Sequence, residues 1–177
     1  MNSKVIAAIK SDEEFEKALN CDVDTIFHLS TNVMKIKQQT NLAHFNGKKI
    51  YIHVDFAEGI AKDMYGMRML KHFGVDGIIS TKSNLIKHAN DVGLKTVQRF
   101  FIVDSRSIDS ISESLKQSRA NMIEIMPGVV TKIITRLRTR VDIPIIAGGL
   151  IENKEEAMEA INSGAYAIST SNRDLWL

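Results

Sequence analysis

Apolar and polar positions alternate in short blocks along this chain, and the period of the alternation keeps switching. Mostly aliphatic runs fall at residues 5–9, 25–29, 50–55, 77–80, 96–103, 122–126, 143–147 and 165–169, with lengths and β-branched content that suit strands. Between them apolar residues recur at the three-and-four spacing of an amphipathic helix. Helices are predicted to begin near Ser11, Thr31, Glu58, Ser83, Ser107, Val129 and Asn153. Ser11 with Glu14, and Asn153 with Glu156, form capping boxes. Gly47, Gly74, Gly93 and Gly164 stand where helices should stop. Strict alternation of strand and helix predicts a parallel sheet. About eight repeats predict its closure into a compact TIM-type (β/α)8 barrel, with an open doubly wound sheet as the alternative. No linker or low-complexity stretch interrupts the pattern, so residues 1–177 read as a single barrel domain.

The length of 177 residues is short for such a barrel, so its loops must be tight. After the eighth strand the sequence runs only to Asp174-Leu175-Trp176-Leu177, and the eighth helix is expected to be missing or reduced. Either Leu175, Trp176 and Leu177 fold back over strand eight, or a second subunit covers it. A homo-oligomer, most simply a dimer, is the expectation.

Composition narrows the picture only slightly. A formal net charge of +2 and a pI of about 8.6 permit a nucleic-acid partner without requiring one. Cys21 is the only cysteine, which excludes an intramolecular disulfide and a thiolate metal cluster. No segment reads as a signal peptide or as a membrane span, and a cytoplasmic location is expected.

The candidate chemistry sits at strand ends. Strand seven ends in Gly148-Gly149 and strand eight in Ser169-Thr170-Ser171-Asn172. Paired small-residue ends, one helix apart, make the phosphate site of many (β/α)8 barrels, so a small phosphorylated ligand is expected on Gly148, Gly149, Ser169, Thr170 and Ser171. The other strand ends carry Lys10, His28, His53, Asp55, Lys82, Gln98, Arg99 and Glu124. Alternation places His53, Asp55 and Glu124 toward the barrel mouth, to orient hydroxyls or move protons. A polar network that merely closes the barrel top is the competing reading. Lys82, in Ser80-Thr81-Lys82-Ser83 at a helix start, favours an anion and is also in place for a Schiff base. Asp55, Glu58 and Glu124 are conceivable metal ligands, but no His-x-x-His or Glu-x-x-His pattern supports a metal, and none is expected. Finally, Lys132, Arg136 and Arg140 stand at i, i+4 and i+8 in a segment without acidic residues. That stripe is either a solvated face or a contact for nucleic-acid phosphates. The rival surface for RNA is the barrel's top loops, near Lys82, Arg99 and Arg106.

Seven blocks in order carry a family resemblance: Ile6-Ala-Ala-Ile, His53-Val-Asp55, Asp76-Gly-Ile-Ile-Ser-Thr-Lys-Ser83, Gln98-Arg99, Glu124-Ile-Met-Pro-Gly128, Ile145-Ile-Ala-Gly-Gly-Leu150 and Ser169-Thr-Ser-Asn172. Over its whole length the chain resembles the glycerol-3-phosphate-responsive antiterminator family, departing at Met126, where a leucine-like residue is typical. The resemblance implies a regulator, with no catalytic residue and no cofactor. Its effector would be glycerol 3-phosphate and its partner the mRNA leader of glycerol-utilisation operons, where it prevents transcription termination. The ligand hydroxyls would then fall to Asp55, Gln98 and Glu124, with Lys82 nearby. The alternative is a barrel enzyme acting on a small sugar or triose phosphate, since this fold is host to many enzymes. Short loops, with no lid to exclude water, favour the regulator.

Overall fold

A computed structural model describes residues 4–104 and 106–176. Its eight strands are β1 (Val5–Ile9), β2 (Thr25–His28), β3 (Lys49–His53), β4 (Gly77–Ser80), β5 (Lys95–Phe101), β6 (Met122–Met126), β7 (Ile145–Gly148) and β8 (Ala167–Thr170). All pair in parallel with their sequence neighbours, and β8 pairs back onto β1, with Ile6 opposite Ser169, so the sheet closes. The helices between them are α1 (Asp12–Leu19), α2 (Val33–Phe45), α3 (Met64–His72), α4 (Ser83–Asp91), α5 (Arg106–Ser118), α6 (Thr131–Arg138) and α7 (Lys154–Asn162). The barrel is closed, and the open-sheet alternative is excluded.

Period-two alternation divides each strand between two cores. Ile6, Phe27, Tyr51, Ile79, Val97, Ile146 and Ala167 pack together inside the barrel. The intervening residues, such as Ile26, Ile50, Ile52 and Ile78, pack outward against α1–α4. Ile123, Ile125, Ile145 and Ile168 do the same toward α5–α7. One pleat above Ile6, Tyr51, Val97 and Ile146, the odd-numbered strands therefore present Ala8, His53, Arg99 and Gly148 at the barrel mouth.

Both predicted capping boxes form: Ser11 Oγ accepts from the Glu14 N–H at 3.2 Å and Asn153 Oδ1 from the Glu156 N–H at 2.9 Å. Two helices differ from the sequence pattern. α3 begins at Met64, later than the expected start near Glu58, because Glu58 is tied into a loop pairing with β2's end. Its N–H donates to the Thr31 carbonyl and its own carbonyl accepts from Val33 N–H, at 3.0 and 2.9 Å. Asp63 then caps the helix through the N–H groups of Tyr65 and Gly66. α6 ends at Arg138, so Arg140 lies beyond it.

After β8 the chain makes a 3-10 turn, Arg173–Leu175, where a full eighth helix would stand in a longer barrel. Leu175 and Trp176 do fold inward, 6% and 2% exposed, and Trp176 Nε1 donates to the Thr170 carbonyl at 2.9 Å. Leu177, expected to join them, lies outside the described residues. Among the described residues no helix is long and apolar enough to cross a membrane.

Candidate functional site

The mouth at the C-terminal ends of the strands opens into a cavity of about 610 Å3. Its floor is built by β1, β5, β6 and β8, through Ala8, Arg99, Glu124 and Ser169, and its wall by the loops after β7 and β8. Arg99 is inside the barrel, with its Nε on Glu124 Oε2 at 2.6 Å. Ser169 Oγ donates to the other oxygen, Oε1, at 2.5 Å. Glu124 is fully buried and both its oxygens are engaged, so it acts as a bracket between β5 and β8. The bracket leaves the two Nη groups of Arg99, which lines the cavity, without a partner among the described residues. A guanidinium fork so held fits the oxygens of a phosphate or of a polyol.

Glycine is required beside this bracket. A Cβ on Gly148 would stand 2.4 Å from Glu124 Oε1 and 2.7 Å from Ser169 Oγ. Gly149 has φ +76° and Leu150, a non-glycine, φ +61°. Two successive left-handed residues turn the chain sharply over the cavity, and such strained backbone clusters at ligand sites. The β7 and β8 loops are also tied to each other. Thr170 Oγ1 donates to the Ile151 carbonyl at 2.9 Å, and Asn172 Nδ2 to the Glu152 carbonyl at 2.5 Å. Gly149, Ser169, Thr170, Ser171, Glu124 and Arg99 thus share one cavity, while Gly148 lies beneath it.

Several expected residues are placed elsewhere. Gln98 faces outward, contrary to its expected place at the ligand. Its Nε2 donates to Ser83 and Ser114, and its Oε1 accepts from Ser118 at 2.5 Å, all on the helices outside the wall. Arg99, expected with the RNA surface, is 7% exposed within the mouth. Asp55 does not line the cavity. Its carboxylate accepts from Ser80 Oγ, Thr81 N–H and Thr81 Oγ1 at 2.5, 2.9 and 2.7 Å, and so occupies the turn before α4 where an external anion was expected. Burial works to raise its pKa, yet these bonds and the neighbouring His53 hold it below the ordinary aspartate value. Lys82 is exposed beside this turn, away from the cavity lining. The Thr170 hydroxyl is committed to the Ile151 carbonyl and the Ser169 hydroxyl to Glu124, which leaves Ser171 as the exposed hydroxyl of that loop able to meet a ligand. Arg106 is an exposed rim residue, its side chain 92% accessible.

His53 points inward as alternation predicts, 2% exposed and against Phe56, with ring centroids 4.9 Å apart. Burial, followed by the Arg99 charge, pushes its pKa down to about 4. Lys10 and Asn172, named at strand ends but given no part in the ligand site, also line the cavity, as do Leu29 and Met126. Lys10, two residues beyond Ala8 on β1's inward side, was legible from alternation alone. Among the described residues no cluster of His, Cys, Asp and Glu suits a metal ion.

On the outer surface the basic stripe is shorter than the sequence suggested. Lys132 and Arg136 are exposed on α6, but Arg140 has left the helix and its Nη1 pairs with Asp109 Oδ1 on α5 at 2.5 Å.

The closed parallel sheet and the cavity at its C-terminal face define the class as TIM-type (β/α)8 barrels. Within that class, the chain belongs to the glycerol-3-phosphate responsive antiterminator family, whose model matches residues 5–176. It is similar to the crystal structure of a glycerol uptake operon antiterminator regulatory protein from Listeria monocytogenes, 33% identical, with a TM-score of 0.93 and coverage of 99% of this chain and 96% of that one. A glycerol uptake operon antiterminator-related protein from Thermotoga maritima is 29% identical, with a TM-score of 0.87 and 99% coverage of both chains. The uncharacterised protein YgcP of Escherichia coli is 36% identical over 173 residues, 97% of this chain and 91% of its own length.

Proposed function

We propose that this protein senses glycerol 3-phosphate at the barrel mouth and, once loaded, binds the mRNA leader of a glycerol-utilisation operon and prevents transcription termination. The observation that carries the ligand half is the cavity that joins Arg99, Gly149, Ser169 and Ser171 in a member of this family. The phosphate sits against the Gly149 turn and the Ser169–Ser171 strand end. The glycerol hydroxyls lie toward Arg99 and the Glu124 bracket. Asp55 acts at one remove, by fixing the β4 turn, and Gln98 has no part in binding. The protein performs no chemistry on the ligand: Glu124, the buried carboxyl group of the cavity floor, is bonded through both oxygens and is not set to transfer a proton.

Ser171→Asp is the sharper test here. Gly149 is held at positive φ against Met126, so any replacement there disturbs the fold as well as the ligand. Ser171 is exposed and has no such constraint. Its replacement by aspartate faces the phosphate with a like charge and should weaken glycerol 3-phosphate by at least about tenfold, or roughly 1.4 kcal/mol, in calorimetry. Glycerol itself should bind poorly to the parent protein. Equal affinities for glycerol and its phosphate contradict the phosphate site. Gel shifts of the leader RNA with and without the ligand test the regulatory half, and NMR of the ligand after long incubation tests for turnover. A converted ligand favours the enzyme alternative.

A further inference from the structure

α2, α3, α4 and α7 are each followed by a glycine with positive φ: Gly47 (71°), Gly74 (83°), Gly93 (76°) and Gly164 (106°). α1 and α6 end without a left-handed residue, at Asn20 and Thr139, and α5 ends in a left-handed residue that is not glycine. The residue after its C-terminus is Arg119, at φ +53°, a left-handed conformation that glycine takes freely and a Cβ disfavours. It is held there by its own N–H on the Leu115 carbonyl at 2.9 Å. Asn90 of α4 adds Nδ2 bonds to the carbonyls of Ser118 and Arg119, at 3.0 and 2.9 Å. A cation near a helix C-terminus favours the dipole, but Lys116 already supplies one, and no dipole requires a left-handed arginine.

Beside Arg119 opens a second cavity, of about 450 Å3, between the C-terminal ends of α5 and α6. Leu115, Val141 and Ile143 give it an apolar floor, and Lys116 and Arg119 a basic rim, beside Arg140, which is paired with Asp109, and Asp142, its one acidic lining residue. Between Ser114 and Val141 the only acidic residue is Glu124, which is buried inside the barrel. The cavity lies at the N-terminal end of β7, so it opens at the opposite end of the barrel from the ligand mouth.

We propose that this groove seats single-stranded RNA, with one base on the apolar floor and the flanking phosphates on Lys116 and Arg119. The proposal rests on the reading of the chain as an RNA-binding regulator, and it moves the contact from the α6 stripe to the α5–α6 groove. An apolar floor under a cationic rim matches the two surfaces of a nucleotide, and a strained backbone such as that of Arg119 clusters at ligand sites.

The test is fluorescence anisotropy with a short, mixed-sequence, fluorescein-labelled single-stranded RNA in the presence of glycerol 3-phosphate. The pair Lys116→Gln and Arg119→Gln should weaken binding by roughly tenfold at low salt and flatten the log–log salt slope by about 1.4, two contacts at about 0.7 each. The pair Lys132→Gln and Arg136→Gln should leave both unchanged. Arg119→Gly should raise the melting temperature by about 2–4 °C while it weakens RNA binding, a combination that a merely structural role does not give. Glycerol 3-phosphate affinity should hold in every variant. Groove variants with the parent's affinity and slope overturn the groove. So does a loss confined to the Lys132 and Arg136 pair, which leaves the RNA reading standing. A parent protein that binds no RNA overturns that reading and the groove together.

Discussion

At the scale of single residues, side-chain direction decides everything and the sequence pattern settles it unevenly. In β6, Glu124 between aliphatic neighbours reads at once as inward. In β5, Thr96-Val97-Gln98-Arg99 has polar residues on both faces, so period alone does not say whether Gln98 or Arg99 enters the mouth. The outward choice for Gln98 comes from partners distant in sequence, Ser83, Ser114 and Ser118. Two buried histidines lead to a prediction at this scale. His28 lies 1% exposed outside the wall, stacked on Phe15, and His53 lies 2% exposed inside it, and burial is the main cause that lowers each pKa to about 4. Both folded values fall below the ordinary value of 6.5, so the unfolded chain binds more protons between pH 6.5 and 4. The native state is therefore at full strength above pH 6.5 and loses stability as pH falls toward 4, by at most about 1.4 kcal/mol per pH unit for each histidine. Melting temperatures across that window should fall, and His28→Phe, which keeps the ring stack, should remove about half of the slope. An unchanged slope in that variant contradicts the assignment.

At the scale of elements, the order and number of strands and helices were legible because hydrophobic period and capping residues agree. The ends were less so. The sequence near Glu58 looks helical, but two backbone bonds to Thr31 and Val33 hold it in a loop, and such pairings leave no local signature. Asp63 was available as the true start: one carboxylate oxygen accepts from both Tyr65 and Gly66 N–H, at 2.9 and 3.0 Å. Asp63→Ala should therefore lower stability by about 1 kcal/mol in denaturant unfolding, with no change in denaturant dependence. Asp63→Asn or Asp63→Ser, which retain an acceptor, should recover most of it. The end of α6 tells the same story for function. Regular spacing extended the basic stripe to Arg140, whereas the helix stops at Arg138 and Asp109 takes the arginine's charge.

At the scale of the whole molecule, the turn after β8 closes the outside of the barrel and holds the ligand loop from behind. Trp176, the only tryptophan, packs among residues of the α1–α4 side, while Leu175 packs with the α5–α7 side, so the turn bridges the two outer cores. Its indole N–H is bonded to the carbonyl of Thr170, and the residues flanking Thr170, Ser169 and Ser171, line the cavity. A ligand that orders the Ser169–Ser171 strand end must therefore be felt at the indole. Glycerol 3-phosphate should change Trp176 emission in proportion to occupancy, and inorganic phosphate should do so at higher concentration. The same binding stabilises the native state by mass action: at a hundred times Kd, about 2.7 kcal/mol, or roughly 5–10 °C in melting temperature. Trp176→Phe keeps an apolar ring in place but loses the bond to Thr170. It should lower the melting temperature of the free protein while the ligand-induced rise persists. A rise in melting temperature without any change in Trp176 emission would place the ligand away from the β8 loop.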